Sequence, residues 1–207
     1  MAFSYLALGD SYTIGEGVLP EENFPSQTVG LLNSTAVGAD GRRQGFAAPQ
    51  IIAQTGWTTD ELDSAIDAAA VSKNYDLVSL LIGVNNQYRD RGVSEYKTQF
   101  DHLLQRALHF AGNKTSNVFV LSIPDWGVTP FAERKDRHAI AAAIDAYNAA
   151  AEQICQQHEV VFIDITTLQR QDGDKKEFLA TDGLHPSGAE YAKWAKKLYG
   201  EVIKGMT

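Results

Sequence analysis

The sequence predicts one α/β domain, a parallel five-stranded sheet sandwiched between helices. Two patterns carry this expectation. Five short apolar runs alternate with longer segments of helical periodicity along the chain. The runs are apolar at successive positions, as strands covered by helices on both faces require. Strand alternating with helix implies right-handed crossovers between parallel strands. A length of 207 residues suits a single domain spanning 1–207, enough to bury a full core without disulfides or metals.

The elements follow in order. Tyr5-Leu6-Ala7-Leu8 reads as the first strand and Gln50-Ile51-Ile52-Ala53-Gln54 as the second. Asp76 to Ile82, Val118 to Ile123 and Val160 to Ile163 read as the third, fourth and fifth. Between them, Val93, Tyr96, Phe100, Leu103, Leu104, Ala107 and Leu108 keep helical spacing, as do Ile140, Ile144, Tyr147, Ala151 and Ile154. Tyr191, Trp194, Ala195, Leu198 and Val202 form the apolar stripe of a last helix. Thr58 with Glu61, and Ser187 with Glu190, fit capping boxes at helix starts. The stretches Asp40 to Pro49, Pro124 to Arg134 and Thr166 to Gly183 read as surface loops.

Composition removes several classes of function. Hydrophobic residues at 44% and charged residues at 21% are ordinary globular values, so disorder and fibrous structure are set aside. A net charge of -8 repels phosphate backbones, so no nucleic-acid partner and no charge-driven docking on anionic membranes is expected. A single cysteine, Cys155, excludes an intrachain disulfide framework and a cysteine-rich metal site. It falls on an apolar helix face and reads as a buried small hydrophobe. No stretch of 18 apolar residues is present, so no membrane insertion is expected. The N-terminus shows no basic and apolar leader, and a cytoplasmic protein is the default expectation. Arg42-Arg43 and Lys196-Lys197 read as solvated faces.

In a parallel sheet, ligands bind beyond the carboxyl ends of the strands. The residues there are Gly9-Asp10-Ser11-Tyr12, Thr55-Gly56-Trp57-Thr58, Gly83-Val84-Asn85-Asn86, Pro124-Asp125-Trp126-Gly127 and, after the last loop, Asp182-Gly183-Leu184-His185-Pro186. A hydroxyl, a glycine backbone, a side-chain amide, a carboxylate and an imidazole thus leave one sheet edge. Those are the parts of acyl transfer. Serine needs a base to take its proton, histidine titrates near neutrality, a carboxylate fixes the imidazole tautomer, and fixed donors meet the developing oxyanion.

At these residues the chain resembles the SGNH/GDSL-like hydrolases. Gly9-Asp10-Ser11 resembles that family's first signature block, and Gly56 is similar to the second. Gly83-Val84-Asn85-Asn86 resembles the third, usually Gly-x-Asn-Asp, and Asp182 to His185 the last, Asp-x-x-His. The blocks fall in family order. The resemblance implies a flavodoxin-like, three-layer α/β/α sandwich and a serine esterase or lipase acting on carboxylic esters or thioesters. It implies Ser11 as nucleophile, His185 as general base and Asp182 as its orienting acid. The implied oxyanion hole is the Ser11 and Gly56 backbone N–H groups with the Asn85 amide. No metal or organic cofactor is implied, and the expected partner is a small-molecule ester.

Two positions depart from the family pattern. Tyr12 replaces a frequent leucine and bears on the acyl pocket. Asn86 replaces a supporting aspartate. Trp126 and Phe131 are candidates to line the acyl pocket, with plain packing as the alternative. Asp164, at the end of the fifth strand, is the rival carboxylate. His102, His109, His138 and His158 read as surface or capping residues, at spacings that suit no metal. Two other readings remain open. The same acyl-enzyme serves an acyltransferase, and the same sandwich serves a flavodoxin-like module gripping phosphate with the segment from Gly9 to Gly17. The latter lacks a phosphate-loop motif and has no use for Asp182 and His185.

Overall fold

The computed structural model describes residues 2–35, 45–71 and 74–206. Arg42-Arg43, and residues 40–44 of the first irregular stretch, lie outside them. The elements are β1 Tyr5–Asp10, α1 Ser11–Ile14, α2 Phe24–Thr35, β2 Gln50–Gln54, α3 Thr59–Ala69, β3 Leu77–Leu81, α4 Val84–Tyr88 and α5 Val93–Phe110. After these come β4 Val118–Leu121, α6 Arg137–Gln157, β5 Val161–Ile163, α7 Thr166–Asp172 and α8 Gly188–Met206. The sheet is wholly parallel in the order β2-β1-β3-β4-β5, which is the flavodoxin-like order. All five expected strands form, and the α/β sandwich is the one the sequence pattern implies.

The order decides where a site can open. The crossover from β1 to β2 runs one way and every later crossover runs the other way. Right-handed connections then place α2 on one face and α3, α5 and α6 on the other. The contacts agree: α2 packs on α8, while α3 packs on α5 and α5 on α6. At the reversal between β1 and β3 the crossovers diverge and leave a crevice beyond the strand ends. The central strands β1, β3 and β4 are buried at every residue. The edge strands β2 and β5 expose part of their length, so the two-faced apolar pattern is complete only in the centre. Among the described residues no helix is long and apolar enough to cross a membrane.

Two local expectations need correction, and one helix, α2, goes beyond them. The stretch from Thr166 to Gly183 is not all loop, because Thr166–Asp172 forms α7. This helix lacks an apolar stripe. Its first turn is instead held by the Asp164 carboxylate, which accepts the Thr167 N–H at 3.0 Å, and by the buried Thr166 hydroxyl on the Ile123 carbonyl at 2.7 Å. Helix α2 has the sequence FPSQTVGLLNST, rich in weak helix formers. Its buried face of Phe24, Val29 and Leu32, with Phe24 against Trp194 of α8 at 6.3 Å, supplies what propensity does not. Finally, Thr58 and Glu61 form the expected capping box, but Ser187 and Glu190 form only half of one. The Ser187 N–H is taken by the Phe178 carbonyl at 2.9 Å. The Glu190 carboxylate therefore turns inward to accept the Trp194 indole N–H at 3.0 Å.

The junction of β1 and α1 matters most. Asp10 ends β1, caps α1 and is fully buried; one carboxylate oxygen accepts the Tyr12 N–H at 3.0 Å and the other has no hydrogen-bond partner among the described residues. Burial pushes the Asp10 carboxyl up to about 7, against a smaller lowering by the Tyr12 N–H. Between the ordinary carboxylate range and pH 7 the folded chain therefore holds a proton that the unfolded chain has lost, so this group's contribution to stability declines as pH rises through that window. Asp10→Asn keeps the capping oxygen and removes the ionisation. Its stability relative to wild type is expected to be lowest near pH 4 and to climb through pH 7 by up to about 4 kcal/mol, with the melting temperature following in the same direction. Thermal melts of both proteins from pH 4 to 8 test this, and a difference independent of pH would contradict it.

Candidate active site

Ser11 is the first residue of α1, so its backbone N–H is among those a helix start leaves without an intrahelical partner. Its hydroxyl is buried at the foot of the crevice, with Oγ 3.0 Å from His185 Nε2. His185 Nδ1 lies 2.5 Å from Asp182 Oδ2. The neutral tautomer with its proton on Nδ1 satisfies both contacts, donating to Asp182 and accepting from Ser11. Asp182 is fixed by its own turn. Its Oδ1 accepts the backbone N–H groups of Leu184 at 2.9 Å and His185 at 3.0 Å, and Gly183 takes a φ of 68° to allow the reversal. Partial burial pushes the Asp182 carboxyl up, but the His185 ring and the two backbone donors more than offset this and hold it below the usual carboxylate range. The Tyr12 ring, 5.4 Å from the imidazole, backs His185 on its other side.

A cavity of about 190 Å³ opens onto this chain of contacts, and Ser11, Gly56, Asn85 and His185 all line it. Gly56 follows β2 with a φ of 87°, a conformation that favours glycine. A side chain there would meet little, so the backbone angle rather than crowding demands glycine. Gly83 is the opposite case: at a φ of 127°, an added Cβ would lie 2.5 Å from the Tyr96 ring. That close approach lets α4 begin directly at the end of β3 and presents Asn85 to the cavity. The Asn85 amide donates one hydrogen to the Trp57 carbonyl at 3.0 Å, which orients it beside the Gly56 loop. Arg89, at the end of α4, reaches back to donate to the Gly56 carbonyl at 2.6 Å. On the other side the Thr55 hydroxyl donates to Glu16. The loop that carries Gly56 is therefore held to both α4 and the end of α1.

Asn86 points away from the cavity. It is fully buried, accepts the Thr59 N–H at 3.0 Å and donates to the Thr59 hydroxyl at 2.7 Å. That hydroxyl donates onward to Gln99. An aspartate here would accept from both Thr59 groups, whereas asparagine reverses one bond and Gln99 takes up the displaced hydroxyl hydrogen. The tie between α4 and the start of α3 is kept.

The other nominated residues separate cleanly. Tyr12, Trp126 and Phe131 all line the cavity. Thr55, Val84, Tyr88 and Leu184 also line it and had no site role assigned from the sequence; Val84 and Leu184 lie inside signature blocks, Thr55 and Tyr88 lie close to them, and that proximity was the available signal. The rival Asp164 lines a different hollow beside Asp145 and Arg170 and caps α7. His102 faces Asp63, His158 faces Asp101 and His109 lies against Phe110, all outside the cavity. Cys155 is buried, and burial pushes its thiol up to about 12. Among the described residues, those lining a larger hollow of about 460 Å³ between α3 and α5 include no serine. The segment from Gly9 to Gly17 is a poor phosphate cradle. The Asp10 side chain already occupies the start of α1, and an added Cβ at Gly9 would lie 2.1 Å from Thr13 Oγ1.

Comparisons with known proteins bear on the family and the fold. Residues 7–193 match the model of the GDSL-like Lipase/Acylhydrolase family. None of the curated proteins matches the chain. Among solved structures, a lipase/acylhydrolase from Enterococcus faecalis is similar, with 20% identity, a TM-score of 0.72, and coverage of 99% of this chain and 96% of that one. The psychrotrophic esterase EstA from Pseudoalteromonas sp., solved inhibited by monoethylphosphonate, has 15% identity, a TM-score of 0.70 and 98% coverage of both chains. Axe2, an acetylxylan esterase from Geobacillus stearothermophilus, has 18% identity, a TM-score of 0.70, and coverage of 97% of this chain and 94% of that one. At these identities the structures speak for the fold, while the family model spans most of the sequence. The chain belongs to the GDSL-like lipase/acylhydrolase family.

Proposed function

We propose that this protein is a serine esterase that cleaves carboxylic esters or thioesters through an acyl-enzyme on Ser11. The observation that carries the reading is the continuous contact chain Asp182–His185–Ser11, which ends in a cavity lined by Gly56 and Asn85. His185 Nε2 takes the hydroxyl proton as Ser11 Oγ attacks the ester carbonyl carbon. The oxyanion accepts hydrogen bonds from the Ser11 and Gly56 N–H groups and the Asn85 amide. Donors already fixed in place stabilise that charge without reorganising. The imidazolium, held by Asp182, then protonates the leaving alcohol or thiol as the tetrahedral intermediate collapses. Water enters, gives its proton to His185 and attacks the acyl carbon, and collapse of the second intermediate frees the acid and restores Ser11. Transfer to an alcohol would use the same acyl-enzyme. The family's description as lipase and acylhydrolase favours water as acceptor.

The first test is variant kinetics on p-nitrophenyl acetate. Ser11→Ala is expected to fold normally and lose at least about 10⁴-fold in kcat. Asp182→Asn should retain roughly 10- to 100-fold more activity than His185→Ala, because the carboxylate orients while the imidazole transfers the proton. Wild-type turnover in Ser11→Ala would refute the mechanism.

A second test separates the neighbouring asparagines. Asn85→Ala is expected to lower kcat by about 10²–10³ with little change in KM or melting temperature. Asn86→Ala breaks both bonds to Thr59 and should act mainly through a lower melting temperature. Asn86→Asp keeps the acceptor for the Thr59 N–H and should be tolerated. A kinetically silent Asn85→Ala beside a crippled but stable Asn86→Ala would reverse these assignments.

A further inference from the structure

The cavity beside Ser11 has a wall that is fastened at several independent points. Trp126 closes it, at 5% exposure, and its indole N–H donates to Gln87 Oε1 at 2.8 Å. Just before it, the buried Asp125 accepts the Gly127 N–H at 2.9 Å and Arg170 Nε at 2.8 Å. Arg170 extends the tie to Asp145 of α6 at 2.8 Å. Further on, Arg137 donates to the Thr129 carbonyl at 3.1 Å. The Phe131 N–H donates to the Gly183 carbonyl at 3.2 Å, joining the wall to the turn that holds Asp182. Gln87 belongs to α4, the helix that presents Asn85. One short helix therefore positions both the amide donor and the wall. Opposite, Tyr12 is 2% exposed and packed between His185 and Trp194.

A wall fastened in this way does not swing outward to admit a larger group. The space it bounds is about 190 Å³, below the roughly 300–1,000 Å³ that encloses a drug-sized ligand. A space of that size encloses a small acyl group and not a long chain. Tyr88 and Phe131, half-exposed, form the outer part of the cavity's lining, and beyond them is solvent. Methylenes beyond a small acyl group find no enclosed space and crowd the fastened Trp126 ring.

We infer that the site selects short acyl groups, of two to four carbons, with Trp126 as the residue that sets the limit and Gln87 as the residue that positions it. The inference rests on the Ser11 acyl-enzyme proposed above. The test compares p-nitrophenyl acetate, butanoate, octanoate and palmitate on wild type, Trp126→Ala and Gln87→Ala. Each protein is first titrated with a small alkyl phosphonate to count reactive Ser11. Wild type is expected to favour butanoate over octanoate in kcat/KM by at least about tenfold, since a misfit of one methylene already costs that much. Trp126→Ala should raise the octanoate-to-butanoate ratio by about tenfold. Gln87→Ala leaves the ring in place but unfastened, should shift the ratio in the same direction, and decides the matter if Trp126→Ala fails to fold. Full phosphonate labelling with octanoate turned over as well as butanoate overturns the inference and leaves the Ser11 reading standing. So does a ratio that neither variant changes. Absence of both labelling and turnover overturns the Ser11 reading, and the inference with it.

Discussion

The 3.0 Å contact between Ser11 Oγ and His185 Nε2 joins residues 174 positions apart in the chain. Nothing local makes it. Ser11 must leave the end of β1, His185 must lead into α8, and the sheet must order its strands so that both ends face one crevice. The reversal of crossover direction between β1 and β3 does this. The buried junction at Asp10 sets where α1 begins, and Asp182 sets the imidazole. A shift of an ångström in either would break a contact that proton transfer needs within hydrogen-bond reach.

Around that contact the molecule spends its polar interactions on holding loops still. The Gly56 loop is held by Arg89 and Glu16, the Asn85 helix by Asn86 on Thr59, and the cavity wall by Asp125, Arg170 and Gln87. Most are single hydrogen bonds of modest net worth, on the order of 1 kcal/mol each. Their value to the proposed chemistry is geometric. Oxyanion donors act only if they already point at the place where charge develops.

Much of this was legible in the sequence because the strands are short, apolar and bounded by glycine or polar residues. Three of the signature blocks lie at strand ends and the fourth follows the loop after the last strand, which put Ser11, Gly56, Asn85, Asp182 and His185 on a shared sheet edge from pattern alone. Helix α2 escaped because its residues are weak helix formers and its helicity depends on α8, more than 150 positions away in the chain. Helix α7 escaped because polar capping rather than an apolar stripe sustains it. The Glu190 carboxylate could not be placed from spacing alone, since its choice turned on whether the Ser187 N–H was already taken by Phe178. The fasteners Gln87, Arg89 and Arg170 are ordinary surface-type residues in the sequence. Only the fold shows what each one reaches.

The most direct measurement of the central claim is to catch the acyl group on the protein. Wild-type protein mixed with excess p-nitrophenyl butanoate, quenched in acid within a turnover and digested, is read by peptide mass spectrometry. The account predicts one added butanoyl group on Ser11, none at the same time point in Ser11→Ala, and its disappearance once the substrate is exhausted. Butanoyl carried on another side chain, or ester turnover at full rate with no acylated Ser11 at any quench time, would contradict it.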